Sequence, residues 1–124
     1  MKLRFIFGQV ECVAELDEKK APLTIEAIAK ELPIKSVANR WGDEIYFETP
    51  VRLSVEENSK DVVEEGDVAF WIPGRAICIF FGKTPISDDK IRPASAVNVI
   101  GKVKEGLDLL KNVRTGTKVI VQAE

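Results

Sequence analysis

The sequence contains no histidine, and among its 124 residues it has one methionine, one tyrosine and two cysteines. The absence of histidine excludes Ser-His-Asp and Cys-His catalytic sites and every zinc or iron site that depends on an imidazole ligand. Any acid–base chemistry must therefore use carboxylates, lysine, tyrosine or cysteine. We predict that the protein binds no metal and no cofactor.

The net charge is only -2, because 18 lysine and arginine residues are interspersed among 20 aspartate and glutamate residues. Since there is no basic stripe, we expect no nucleic-acid partner. No apolar run approaches the roughly 18 residues that cross a bilayer, and the charged start Met1–Phe5 is unlike a signal peptide. We therefore expect a cytoplasmic protein that does not bind membranes.

Hydrophobic residues make up 45% of the chain, which is enough for one core without disulfides. We predict a single domain over residues 1–124, because a second domain has no room. Cys12 and Cys78 lie within apolar strand patterns, where a reduced cysteine behaves as a small hydrophobe. We predict two buried thiols, while a disulfide or a reactive thiol stays open at this stage.

Residues 2–16 predict a β-hairpin in which apolar and polar residues alternate on both strands. Gly8-Gln9 is a two-residue turn with glycine first. This turn places Phe5 opposite Cys12 and puts the apolar residues of both strands on one face.

The rest of the chain predicts short strands and two short helices. Thr24 is the predicted N-cap of the first helix, which ends before Pro33, and the second covers residues 106–112. About eight short strands favour a closed barrel capped by helices, because closure removes exposed strand edges. The long connection 82–96 is the first place to look for function. Besides the hairpin, strands are predicted at 36–40, 44–49, 52–55, 67–72, 75–81, 97–104 and 118–122.

The C-terminal third resembles a known family. Residues 99–110, VIGKVKEGLDLL, are similar to the last strand and helix of cyclophilins, which commonly read V-x-G-K-V-x-E-G-x-D. Phe80-Phe81 resembles the paired phenylalanines of a cyclophilin strand, one of which lines the proline pocket. Over nearly its whole length the chain resembles small prokaryotic cyclophilin-like proteins without an established function. The shared segments are N-x-WG-x-EIYF at 39–47, FGKTP at 81–85 and PAS-x-VNVIGK at 93–102.

The resemblance implies a cyclophilin-like β-barrel of eight strands with two helices, and it leaves the activity open. A cyclophilin uses an arginine donor and a dry pocket to twist the prolyl imide, and Arg40 is the arginine in a comparable place. The surrounding Phe-Met-x-Gln motif is absent, and the family's tryptophan and histidine positions fall near Arg92 and Val97. We therefore expect no efficient isomerase, and a low-efficiency peptidyl-prolyl cis-trans isomerase is the first alternative.

Our preferred interpretation is a binding module for a peptide or a small molecule in the equivalent cleft. A second alternative is a subunit or partner of a larger amide-cleaving enzyme, which a large exposed apolar patch would favour. Trp41 and Tyr46 also have a simpler role as packing residues. The predicted cleft has apolar walls from Trp41, Tyr46 and Phe81 and polar groups from Arg40, Glu44, Thr84, Ser95 and Asn98.

Arg40 and Glu44 are the candidate catalytic residues. Burial of Glu44 beside apolar neighbours would raise its pKa into a range useful for a general acid or base, whereas an exposed glutamate paired with Arg40 is the simpler alternative. Gly82-Lys83-Thr84 resembles the end of a phosphate-binding loop, but the required earlier glycine is replaced by Ile77. Asp88-Asp89 is expected to be a solvated loop rather than a cation site.

Overall fold

The computed structural model describes residues 1–124, and its strands form one antiparallel sheet. The helix α1 covers Pro22–Ala29, and two 3₁₀ helices cover Ile72–Gly74 and Leu107–Asn112. No helix is both long and apolar enough to cross a membrane. The ten strands are β1 Lys2–Phe7, β2 Val10–Leu16, β3 Ile34–Val37, β4 Asn39–Trp41, β5 Glu44–Glu48, β6 Ser59–Lys60, β7 Asp67–Trp71, β8 Ala76–Phe80, β9 Val97–Glu105 and β10 Lys118–Ala123.

The sheet closes into a barrel because its first and last strands are consecutive in the chain. The strand order is β3-β10-β1-β2-β9-β7-β8-β5-β4, with β6 paired to β9. Only Ala38 separates β3 from β4, so one bent segment pairs with β10 at its start and with β5 at its end. The Ser36 hydroxyl also donates to the Glu48 carbonyl at 2.6 Å. The predicted barrel is confirmed, with nine strands around its path because the strand predicted over 36–40 divides at Ala38.

The predicted N-terminal hairpin is correct in its register. Phe5 lies opposite Cys12, and Gly8 has the positive φ, 63°, that a turn with glycine first requires. Phe5 and Phe7 point into the barrel, where each ring also packs against Phe47 at centroid distances near 6 Å. These phenylalanines belong to the central core of 24 buried residues.

Two local predictions are wrong. Thr24 lies inside α1, which begins at Pro22 because a proline at the first helical position is already set to the helical φ. The backbone N–H and the hydroxyl of Thr24 both donate to Glu57 at 2.7 Å, so a distant carboxylate caps this helix. The strand predicted at 52–55 does not form, and the strand that follows is the short β6.

A second apolar cluster lies on the outer face of the barrel. Strands β7 and β8 are buried along almost their whole length, which requires cover on both faces. The segment 82–96 provides this cover, with Ile91 bridging to Val63 and packing on the cluster. The cluster consists of Val63, Ala69, Cys78, Phe80 and Val97, with Tyr46, Trp71, Ile91 and Val99 at its margin.

Candidate functional site

A cleft of about 140 Å³ opens on this outer face, between the barrel wall and the segment 93–97. Its lining is mostly apolar and includes one carboxyl group and one thiol. The lining residues are Trp41, Glu44, Tyr46, Trp71, Cys78, Pro93, Ala94 and Val97.

Strand alternation places three of the predicted site residues in this cleft. Trp41 of β4 lies opposite Glu44 of β5. Tyr46 follows Glu44 two residues later on β5. Alternate residues of a strand point to opposite faces, and Ile45 and Phe47 point into the barrel core. Trp41, Glu44 and Tyr46 therefore share the outer face of the sheet.

Trp71 is held at the edge of the cleft by two neighbours. Its indole N–H donates to the Ser95 hydroxyl at 2.7 Å, which ties β7 to the covering segment. A Cβ at Gly74 would lie 2.5 Å from the Trp71 ring, so the ring occupies space that only glycine leaves open. The position of this tryptophan thus depends on both contacts.

The covering segment is braced by its own hydrogen bonds. The buried Thr84 hydroxyl donates to the Arg92 carbonyl at 2.5 Å, and the Thr84 backbone N–H donates to the Ser87 hydroxyl at 3.0 Å. The Arg92 backbone N–H donates to the same hydroxyl at 3.0 Å. These bonds fix the loop just before Pro93, where it enters the cleft.

Glu44 is the buried charged group of the cleft, with 5% of its surface exposed. Burial raises the pKa of Glu44 to about 7, and the neighbouring Cys78 thiol offsets part of this rise. Glu44 takes part in none of the ion pairs of the molecule. At neutral pH its carboxyl group is therefore divided between the neutral and the ionised form.

Cys78 lines the same cleft as this carboxyl group, and its thiol donates to the Ala76 carbonyl at 4.0 Å. Burial, together with the charge of Glu44, raises the pKa of Cys78 well above its ordinary value. Cys12 lies in the central core, where burial raises its pKa to about 12. Both cysteines are buried free thiols, as predicted.

Arg40 does not face the cleft. Its guanidinium stacks over the Phe81 ring, 4.8 Å from the centroid, and forms an ion pair with Asp43. Four of its donor hydrogen bonds go to the protein, including three to backbone carbonyl oxygens of Gly42, Lys111 and Val113. The alternative in which Arg40 pairs with an exposed Glu44 is therefore wrong, because alternation along the strands separates the two side chains.

The eight predicted site residues do not converge on one cleft. Phe81 packs between Arg40 and the central core, and Thr84 braces the loop. Asn98 is buried and donates to the Thr24 hydroxyl and the Val55 carbonyl, away from the cleft. Ser95 is exposed and reaches the cleft only as the acceptor for Trp71.

Sequence reasoning missed five lining residues. Trp71 is not among the predicted site residues, and the prediction that Cys78 is a buried thiol holds although its side chain also lines the cleft. The nearly continuous apolar runs within 67–72 and 75–81 contained the signal, because a strand that is apolar on both sides needs cover on its outer face as well. The others, Pro93, Ala94 and Val97, come from the loop and the strand that follows it.

A larger depression of about 910 Å³ lies elsewhere, lined by the segments 15–20, 58–67 and 99–104. Only five of its 17 lining residues are hydrophobic, and most of the rest carry charges of both signs. An open, charged surface of this kind is solvated, so the small apolar cleft is the candidate site. No group of three or more carboxylate or cysteine side chains is placed to hold a metal ion.

The chain is similar to known proteins in family and in fold. A family model described as cyclophilin-like matches residues 1–122. The solution structure of a hypothetical protein from Archaeoglobus fulgidus is 63% identical and has a TM-score of 0.88, covering 100% of this chain and 95% of that one. The structure of McbB in complex with tryptophan is similar in fold alone, with a TM-score of 0.78 at 15% identity over 98% of this chain and 44% of that one. Among curated proteins, none matches the chain.

Proposed function

The chain belongs to the cyclophilin-like family, and we propose that it is a binding module rather than an efficient prolyl isomerase. Its outer cleft receives one small group of a peptide or small molecule. The observation that carries this proposal is a concave, mostly apolar cleft with a single buried carboxyl group.

The size of the cleft limits what it can receive. Pockets for whole drug-sized ligands measure about 300–1,000 Å³, whereas this cleft measures about 140 Å³. It therefore suits one ring or one branched group, and the rest of the ligand lies on the open side. That a distant neighbour is described in complex with tryptophan supports including tryptophan among the first probes.

The position of Arg40 argues against efficient isomerisation. A catalytic donor must reach the prolyl nitrogen, but the Arg40 guanidinium already donates to three backbone carbonyls and to Asp43. It also lies on the face of the sheet opposite to Glu44 and Tyr46. Freeing it would break the bonds that hold the loop 111–113 to β4.

The alternative of a subunit in a larger amide-cleaving enzyme has little support from the surface. The large apolar side chains that are exposed come from separate segments, and none lines the cleft. They are Met1, Leu23, Val37, Val55, Ile86 and Leu109.

The test is an NMR titration of ¹⁵N-labelled protein with a short Ala-Pro peptide and with tryptophan. We expect at least one probe to shift the two indole N–H resonances and the amides around Tyr46, without faster cis–trans exchange of the peptide. Faster exchange would establish an isomerase and overturn the proposal. Absence of shifts with both probes and with the ammonium probes described below would overturn the binding function.

Two exposed alanines provide a matched pair of variants. Ala94 lines the cleft and Ala96 does not. In Ala94→Phe the new side chain fills the opening of the cleft without entering the core. We therefore expect the resonance shifts caused by the probes to disappear. Ala96→Phe adds the same side chain two residues away and should leave them unchanged. Equal loss in both variants would point to binding elsewhere on the segment.

A further inference from the structure

Building on this binding function, we propose that the group received by the cleft is a methylated organic ammonium, held between the aromatic walls and the Glu44 carboxylate. Three features of the cleft support a cation of this kind: the type of its aromatic residues, the absence of any cation in the lining, and its shortage of hydrogen-bond acceptors.

The aromatic residues of the chain lie in different places according to their type. Both tryptophans and the single tyrosine line the cleft, whereas none of the six phenylalanines does. Tryptophan attracts a cation to its ring face most strongly, and tyrosine also provides a negative ring face. Three such side chains around one carboxyl group are the composition of an aromatic cage for an ammonium ion.

The carboxyl group has no cation of its own. Although the chain has 18 lysine and arginine residues, none of them lines the cleft. A buried carboxylate without a counter-ion is costly, and a bound cation would remove that cost. An anionic ligand would instead meet a like charge, and a neutral ligand would leave the carboxylate uncompensated.

The remaining walls favour an ammonium that carries methyl groups. A primary ammonium has three N–H donors that need acceptors, but the side chains of Pro93, Ala94 and Val97 offer none. Methyl groups instead contact these apolar side chains and the aromatic rings directly. The cleft of about 140 Å³ has room for about five water-sized groups at about 30 Å³ each, which matches a trimethylammonium group with its methylene.

The test compares choline with 3,3-dimethyl-1-butanol, a neutral molecule of the same shape in which carbon replaces nitrogen. At about pH 8 we expect choline to bind at least about tenfold more tightly than the alcohol, measured by calorimetry or NMR titration. Towards about pH 5 the preference should fall, because Glu44 becomes protonated. The other titratable groups in the lining are Tyr46 and Cys78, and choline itself does not titrate.

The variants Glu44→Gln and Glu48→Gln form the matched control. Glu48 is an exposed residue on the same strand, outside the cleft. Glu44→Gln should reduce choline affinity towards that of the alcohol and leave the alcohol unaffected, whereas Glu48→Gln should change neither.

The outcomes separate this inference from the binding function on which it rests. Equal binding of choline and the alcohol would overturn the ammonium inference and leave the cleft as a binding site. The same holds if neither binds while tryptophan or the Ala-Pro peptide shifts the cleft resonances. If no probe shifts them, both proposals fail together.

Discussion

Replacing Glu44 by glutamine should stabilise the protein at alkaline pH and not at acid pH. The pKa of Glu44 rises from its ordinary 4.5 to about 7 in the folded state because the carboxyl group is buried. The neutral carboxyl group therefore makes its full contribution to the free energy of unfolding below pH 4.5. This contribution is lost as the pH rises through about 7 and the group ionises. Each pKa unit corresponds to about 1.4 kcal/mol, so ionisation costs the folded protein up to about 3 kcal/mol at about pH 8. Glutamine has nearly the same shape and does not ionise.

The measurement is urea unfolding at about pH 5 and about pH 8, followed by far-UV circular dichroism. The free energy of unfolding of Glu44→Gln minus that of the unmodified protein should increase by about 2–3 kcal/mol between these conditions. Glu48→Gln, at an exposed position, should show no such change. A difference for Glu44→Gln that is the same at both pH values would refute the reasoning, because it would mean that the carboxyl group is solvated in the folded protein.

Three further substitutions test contacts around the barrel. Arg40→Lys should lower the free energy of unfolding by about 1–3 kcal/mol, because carbonyl groups lose donors, and it should leave binding at the cleft unchanged. Thr24→Val should cost about 1–3 kcal/mol in urea unfolding, because a buried hydroxyl that both donates and accepts is removed. Gly74→Ala should shift the Trp71 indole N–H resonance in NMR spectra, because the new methyl group displaces the ring, while the Trp41 resonance should move less.

Two of these substitutions have a matched comparison. Arg52 is exposed and makes no hydrogen bond or ion pair, so Arg52→Lys should not change stability. Thr24→Ser retains the hydroxyl and should recover most of the loss. An Arg40→Lys variant that is as stable as the parent, or a Gly74→Ala variant with both indole resonances in place, would contradict the assigned contacts.

Local signals in the sequence were sufficient for most of the fold. The hairpin followed from the turn at Gly8 and from alternation over 2–16, because both act between neighbouring residues. The helix start was predicted too late in the chain, although Pro22 is a local signal for the first helical position. The partner of Thr24 is Glu57, 33 residues away, and no local pattern contains that contact.

The site was predicted in part because convergence in space depends on which face each residue occupies. Trp41, Glu44 and Tyr46 were correctly grouped in one segment and do lie together. Arg40 precedes Trp41 directly and so belongs to the opposite face, a separation that alternation alone predicts. The position of Trp71 in the cleft could not be predicted from alternation, because it depends on a hydrogen bond to Ser95 in the loop that folds over the strands.

The distribution of the aromatic residues has a practical consequence for spectroscopy. Because both tryptophans line the same cleft and the central core contains phenylalanine instead, the intrinsic tryptophan fluorescence of this protein reports the state of one surface site. Emission changes during a titration can be assigned to the cleft without a label. Quenching by a water-soluble reagent would likewise measure how far an occupant shields this surface.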